Sequence, residues 1–238
     1  MDQITLHWTR DKTEVGNAKK FRFEIFSNSF NSSFPFSQNA VDADSYDEVS
    51  DHLIAKDTHS DEIIACYRVI PREARDHLGK FYCESLFDIS PIKYLGDQIL
   101  EVDRFCMHKN YRNGFLILAL WREIFNYFYQ NNYSAMIGCS SVSFFDGGDL
   151  ASSIYKKLLE TGGCFDPIRC TPKFPVNLNF KNYDANVKIP SLFRAYLNLG
   201  AQICGKPSID AVLNTADFLT ILRKEDVNQR YLNRLTKT

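Results

Sequence analysis

The chain has 238 residues, a formal net charge of −1, 45% hydrophobic and 24% charged residues, enough for an apolar core without staples. Lysine and arginine are scattered rather than blocked, which excludes the electrostatic footprint of a nucleic-acid binder. The longest unbroken apolar run, Phe115 to Trp121, is far short of a bilayer span, and the opening Met-Asp-Gln-Ile-Thr-Leu-His-Trp lacks both parts of a signal peptide, so a cytoplasmic protein is expected.

Seven cysteines, an odd number without any Cys-x-x-Cys, read as reduced thiols, and no metal site is expected. Residues 3 to 8 alternate as a strand. Residues 14 to 27 place Ala18, Phe21 and Ile25 at helical spacing. From Asn28 to Tyr46 the chain has no stable period and reads as a long loop. Its aromatics from Phe30 to Phe36 fit either plugs under the loop or an acyl-chain tunnel or lid.

His52 to Lys56 and Glu62 to Ile70, joined by Asp-Thr-His-Ser-Asp, form a hairpin signal. Gln98 to Met107 alternates as a strand, with Leu100, Val102, Arg104 and Cys106 on one face and Ile99, Glu101, Asp103 and Phe105 on the other. A helix of about four turns then opens at Phe115, apolar nearly all round its first half, so burial against a sheet is implied. A strand over Tyr133 to Cys139 follows, then a helix capped by Asp149 and ended by Gly162-Gly163, an irregular stretch over 165 to 187, and a helix between Pro190 and Gly200. Gln202 to Cys204 and Phe218 to Leu222 are strand-like. No linker divides the chain, which reads as one α/β domain with a mixed central sheet.

The most informative stretch runs from Leu100 to Trp121. A strand carrying Glu101, Asp103 and Arg104 leads through His108, Lys109, Tyr111, Arg112, Asn113 and Gly114 into a helix N-terminus, where free N–H groups and the helix dipole favour an anion such as a phosphate. Glu101, among apolar neighbours, suits a general base of raised pKa, and equally suits a core carboxylate paired with Arg104. His108 is an alternative base or a solvated turn histidine.

The pattern Glu101-x-x-Arg104-x-x-x-His108-x-x-Tyr111-Arg112-x-Gly114, followed by an apolar helix with Leu120-Trp121-Arg122, resembles the ornithine-lipid and N-acyl-amino-acid synthase branch of the GNAT superfamily of N-acyltransferases, a branch related to acyl-homoserine-lactone synthases. Phe21 to Phe26, Asp44 to Leu53, Phe81 to Asp88, Tyr196 to Ala201 and Asn214 to Phe218 carry the likeness along nearly the whole chain. It implies a GNAT-like mixed central β-sheet flanked by helices over 1–165, with a C-terminal extension over 166–238 packed on it.

The resemblance implies attack of an amine on a thioester. Glu101, Arg104, Tyr155 and His108 are the catalytic candidates, Arg22, Phe26, Asp44, Asp47 and Arg68 would bind the acceptor, and Arg112, Asn113 and Gly114 would bind the donor. Tyr155 matches the tyrosine that protonates the leaving thiolate, or is a packed helical tyrosine. The loop Arg112-Asn113-Gly114-Phe115 has one glycine where acetyl-CoA users carry more, which points to acyl-phosphopantetheine on acyl carrier protein, with acyl-CoA as the alternative donor and no permanently bound cofactor. An amino-acid acceptor and contact with the inner membrane surface complete the expectation. An acetyl-CoA-dependent acetyltransferase, a lactone synthase needing an adenosyl acceptor, and a non-catalytic acyl- or carrier-binding module are the competing readings.

Overall fold

A computed structural model describes residues 3–30, 40–112, 114–162 and 164–236. In chain order the elements are β1 (Ile4–Thr9), α1 (Lys12–Phe30), β2 (Asp51–Asp57), β3 (Ile63–Ile70), α2 (Arg72–Leu78), β4 (Phe87–Asp88), β5 (Ile99–Met107) and α3 (Phe115–Gln130). The second half adds β6 (Ala135–Ser143), α4 (Asp149–Thr161), β7 (Thr171–Pro172), α5 (Ser191–Leu199), β8 (Gln202–Ile203), β9 (Ser208–Asp210), β10 (Thr215–Arg223) and α6 (Gln229–Thr236). The chain thus has the expected α/β class, with sheet strands flanked by helices. Phe34 and Phe36 of the aromatic loop lie outside the described residues.

Two compact units interleave in sequence: Met1–Phe81, Leu100–Tyr133 and Asn233–Thr238 form the first, and Tyr82–Ile99 and Ser134–Leu232 the second. The first unit is an antiparallel sheet in the order β1-β2-β3-β5. Its hairpin between β2 and β3 closes through the Asp57 carboxylate, which accepts the His59 and Ser60 N–H groups. Asp11 caps α1 by accepting the Thr13 and Glu14 N–H groups.

The buried stripe of α1 is Val15, Ala18, Arg22 and Phe26, rotated from the expected Ala18, Phe21 and Ile25. A cation therefore sits where periodicity alone would put an apolar side chain. On the opposite face of the sheet, α3 buries Leu116, Leu120, Trp121 and Ile124, with the Trp121 indole N–H donating to the Tyr67 hydroxyl at 3.1 Å. The Tyr67 and Phe105 rings stand 4.5 Å apart on that same face.

In the second unit β10 pairs antiparallel with β6 along nine residues, and its other edge carries β8 and β9. Ile154, Leu158, Phe193, Ile203 and Phe218 form its core. The cap of α4 differs from the expected one: Gly148 precedes the helix, and it is Asp146 that accepts the Gly148 and Leu150 N–H groups, leaving Asp149 as the first helical residue. Gly200 ends α5 as expected, at φ 106°.

A side chain at Gly200 is excluded twice over. Its φ is left-handed, and an added Cβ would lie 2.1 Å from the Asp226 carbonyl oxygen. Gly200→Ala is therefore expected to cost about 2 kcal/mol or more, read as a fall in the urea midpoint of the full chain, while the neighbouring Ala201→Gly costs less.

Candidate active site

The strand β5 is not regular. Cys66 of β3 faces Cys106 and Arg68 faces Asp103, so two steps on β3 match three on β5, and Arg104 takes φ 52° at the extra residue. This β-bulge breaks the alternation expected from sequence. Asp103, Arg104 and Cys106 all turn to the face that α1 covers, and Glu101, opposite Ile70, shares that face with Asp103.

On this face Arg22, Arg68 and Arg104 meet Asp42, Asp44, Asp47 and Asp103. Arg68 is 0% exposed. Its Nε donates to Asp103 Oδ1 at 2.8 Å, its Nη1 to Asp44 Oδ1 and to Asp47 Oδ1 at 3.1 Å, and its Nη2 to Asp44 Oδ2 at 3.0 Å and Asp103 Oδ2 at 2.6 Å. All five guanidinium N–H groups thus reach carboxylate oxygens. Arg22 Nη1 donates to Asp47 Oδ1 at 2.8 Å and Nη2 to the Asp42 carbonyl at 2.6 Å.

Arg104 Nη2 donates to Asp44 Oδ2 at 3.0 Å. The Nε atoms of Arg22 and Arg104 converge on Asp42 Oδ2 at 2.8 and 3.1 Å, close ion contacts whose angles fall short of hydrogen bonds. Asp44 is the most open of the carboxylates, its side chain 22% exposed. Three cations thus face four anions, and buried Glu101 adds another carboxylate to the same face.

Burial by itself would raise the carboxyl pKa of Asp47, but the hydrogen bond and charge of Arg22, reinforced by Arg68, hold it well below the ordinary range. Asp44 is likewise lowered, by Arg68 and then Arg104, against its burial. Burial lowers the His52 pKa, only partly offset by the Asp47 carbonyl 3.0 Å from its Nε2, so this imidazole is neutral at pH 7. Burial also lowers the Arg68 pKa, and Asp103 more than restores it.

The residues expected from sequence to receive the donor follow the far end of β5. His108 Nδ1 accepts the Asn110 N–H at 3.4 Å, and the Tyr111 hydroxyl donates to Asp57 at 2.8 Å. Arg112 is exposed and reaches the Met107 carbonyl at 3.4 Å. Gly114 precedes α3 at φ 87°, with nothing within 4 Å of an added Cβ, so the backbone conformation, not space, requires glycine. Phe115 is 60% exposed in the first turn of α3. Asn113 lies outside the described residues.

Of the residues picked from sequence, Arg22, Asp44, Asp47, Arg68 and Arg104 are brought into one network, and Phe26 lies one turn beyond Arg22 on the buried side of α1. His108, the alternative base, and Arg112, expected to bind the donor, lie together after β5, outside that network. Tyr155 belongs to the second unit, where its ring meets Phe165 edge-on at 5.4 Å. Sequence reading missed Asp42 and did not give Asp103 or His52 a role. The closely spaced acids at 42, 44 and 47 were the one available signal. Among the described residues no three His, Cys, Asp or Glu are disposed to hold a metal, and no helix is long and apolar enough to cross a membrane.

A GNAT acetyltransferase domain model matches residues 21–122. The L-ornithine N(alpha)-acyltransferase of Rhodobacter capsulatus is 24% identical over 242 residues, covering 93% of this chain and 90% of that protein. The enzyme of the same name from Rhizobium meliloti is 25% identical over 250 residues, covering 94% and 81%. Among solved structures, the acyl-homoserine-lactone synthase LasI has a TM-score of 0.55 at 13% identity, covering 96% of this chain and 93% of that one. BjaI, a CoA-dependent acyl-homoserine lactone synthase solved with SAM and isopentyl-CoA, has 0.54 at 12%, covering 98% and 87%. These structures bear on the fold.

Removing the Arg68 guanidinium leaves buried carboxylates uncompensated. Arg68→Met is expected to cost about 3–5 kcal/mol, and Arg68→Lys, which keeps the charge but offers three donors, to remain clearly destabilised; both are read from urea unfolding. Acid acts on the same network. Asp44 and Asp47 have folded pKa values below their unfolded value of about 3.9, so the stability they add is present above that pH and is lost as pH falls through the folded values. His52, depressed from about 6.5, loses its contribution earlier in the descent. The urea midpoint is expected to fall in two stages, beginning below about pH 6.5 and steepening below about 4, with His52→Gln blunting the first stage only.

Proposed function

We propose that the chain is an N-acyltransferase of the GNAT superfamily and that it moves a long-chain acyl group, plain or 3-hydroxylated, from the phosphopantetheine of acyl carrier protein to the amine of an amino acid such as ornithine. The product is an N-acyl amino acid or lyso-aminolipid made in the cytoplasm, an amphiphile that leaves at the inner membrane surface. The observation that carries the reading is the likeness to L-ornithine N(alpha)-acyltransferases over 93% of the chain. The acid excess on the α1-covered face supports it, because an acceptor bearing two ammonium groups and one carboxylate is drawn to a site richer in carboxylates than in guanidiniums.

In this proposal Glu101 takes the proton that the acceptor ammonium loses before attack. The amine nitrogen bonds to the thioester carbonyl carbon, the C–S bond breaks, the nitrogen gives up a second proton to leave a neutral amide, and the departing sulfur receives a proton, with Tyr155 the candidate donor. His108 is the alternative base. Asp44, the most open acid, meets the acceptor cation and Arg104 its carboxylate, while the buried Arg22, Asp47 and Arg68 hold these two in place. Arg112, Asn113 and Gly114 receive the donor phosphate ahead of α3. A single glycine followed by exposed Phe115 supports a carrier with one phosphate over the pyrophosphate of CoA.

The test is mass spectrometry of products after incubating the protein with long-chain acyl carrier protein, with and without a 3-hydroxyl, and mixed amino acids. An N-acyl amino acid is expected, and Glu101→Gln is expected to lower kcat/KM by about 10²–10⁴ with an unchanged thermal midpoint. Amide formation from acyl-CoA alone would overturn the carrier assignment, and full activity in Glu101→Gln would overturn the role of that residue.

A further inference from the structure

Three loops of the second unit gather at one end of its sheet. The loop after β6 is tied to the β9–β10 turn by the Phe144 N–H, which donates to the Asn214 carbonyl at 3.0 Å. The segment after β7 is tied to β9 by the Ile209 N–H on the Phe174 carbonyl at 2.7 Å, and to Pro207 by the Val176 N–H at 3.1 Å. Val176 also reaches the first loop: a Cβ on Gly148 would lie 2.9 Å from Val176 Cγ1 and 3.0 Å from the Phe144 ring.

Each loop turns one apolar side chain outward, Phe145 at 73% exposure, Phe174 at 56% and Val212 at 60%. The tips are polar-satisfied from within. The Phe145 N–H donates to Ser143 Oγ, the Gly147 N–H to the Phe144 carbonyl, and the Val212 and Leu213 N–H groups to Asp210 Oδ1. Such tips can leave water without stranding those backbone donors. Asp146, the acid at the first tip, is turned inward onto the Gly148 and Leu150 amides, while exposed Lys206 and exposed Lys173, whose ammonium donates to the Glu84 carbonyl, flank the patch.

The occupant follows from size and charge. Three such side chains offer roughly 300 Å², well below the ~800 Å² per partner of a stable protein interface, and separate apolar tips rimmed by lysine suit a soft anionic surface. We propose that this end of the second unit docks on an anionic lipid bilayer, with Phe145, Phe174 and Val212 entering the boundary between headgroups and acyl chains and Lys173 and Lys206 meeting the headgroups. The surface extends the reading above, whose product is an amphiphile. Vesicle binding is measured without turnover, so each can fail alone.

The full chain is sedimented with vesicles of phosphatidylglycerol and phosphatidylcholine, and with phosphatidylcholine alone. The wild type is expected to partition onto the anionic vesicles. F145S/F174S/V212S should lower that partitioning about tenfold or more with the thermal midpoint kept within a few degrees, and K173E/K206E should lower it on anionic vesicles only. No partitioning by the wild type, or equal partitioning by the triple variant, overturns the proposal. A wild-type dimer that the triple variant converts to monomer assigns the patch to a second copy and also overturns it.

Discussion

A guanidinium sealed from water and bonded through all five of its N–H groups is the constraint on which the first unit turns. Arg68 sits on a central strand, and its acceptors are Asp103 on β5 and the short segment from Asp44 to Asp47 ahead of β2. Hydrophobic packing alone would leave that segment many resting places. The geometry of a planar fork with three carboxylates leaves it one, since any shift strands a buried charge. Arg22 and Arg104 extend the same logic, linking the helix above the sheet to the strand within it through Asp42 and Asp47.

The two faces of this sheet are held by different physics. Towards α3 the contacts are aromatic and aliphatic, close-packed and indifferent to pH, as in the Tyr67, Phe105 and Trp121 cluster. Towards α1 they are ionic, sensitive to acid and specific in direction. The proposed binding of a charged amino acid would gain from the second kind: the polar groups are oriented before any acceptor arrives, so little is lost in reorganising them.

Local signals in the sequence were reliable where the physics is local. The turn-forming Asp-Thr-His-Ser-Asp gave the hairpin, and Pro190 with Gly200 bracketed α5. The short α2 and the two-residue strands β4 and β7 escaped because so few residues carry no period. The face of α1 was misjudged for a different reason: Arg22 occupies a core position only because Asp47, 25 residues away, neutralises it. Within the site, Arg22, Asp44, Asp47, Arg68 and Arg104 were legible from the family-like pattern, whereas Asp42 has no signature beyond being one of three acids in six residues.

The bulge at Arg104 reaches beyond this one molecule. Because β5 carries one more residue than its partner, positions before and after residue 104 obey opposite in-and-out parity. A homologue that lost the bulge by deleting residue 104 would keep Asp103, Phe105 and Cys106 on their present faces and lose only the arginine, whereas one that straightened the strand at constant length would present the remainder of it inside out. A one-residue length change is therefore absorbed at the bulge, while the same change elsewhere in the strand turns the residues on one side of it to the other face. An alignment to a strand without the bulge must open a gap at Arg104 if it is to pair residues that face the same side of the sheet.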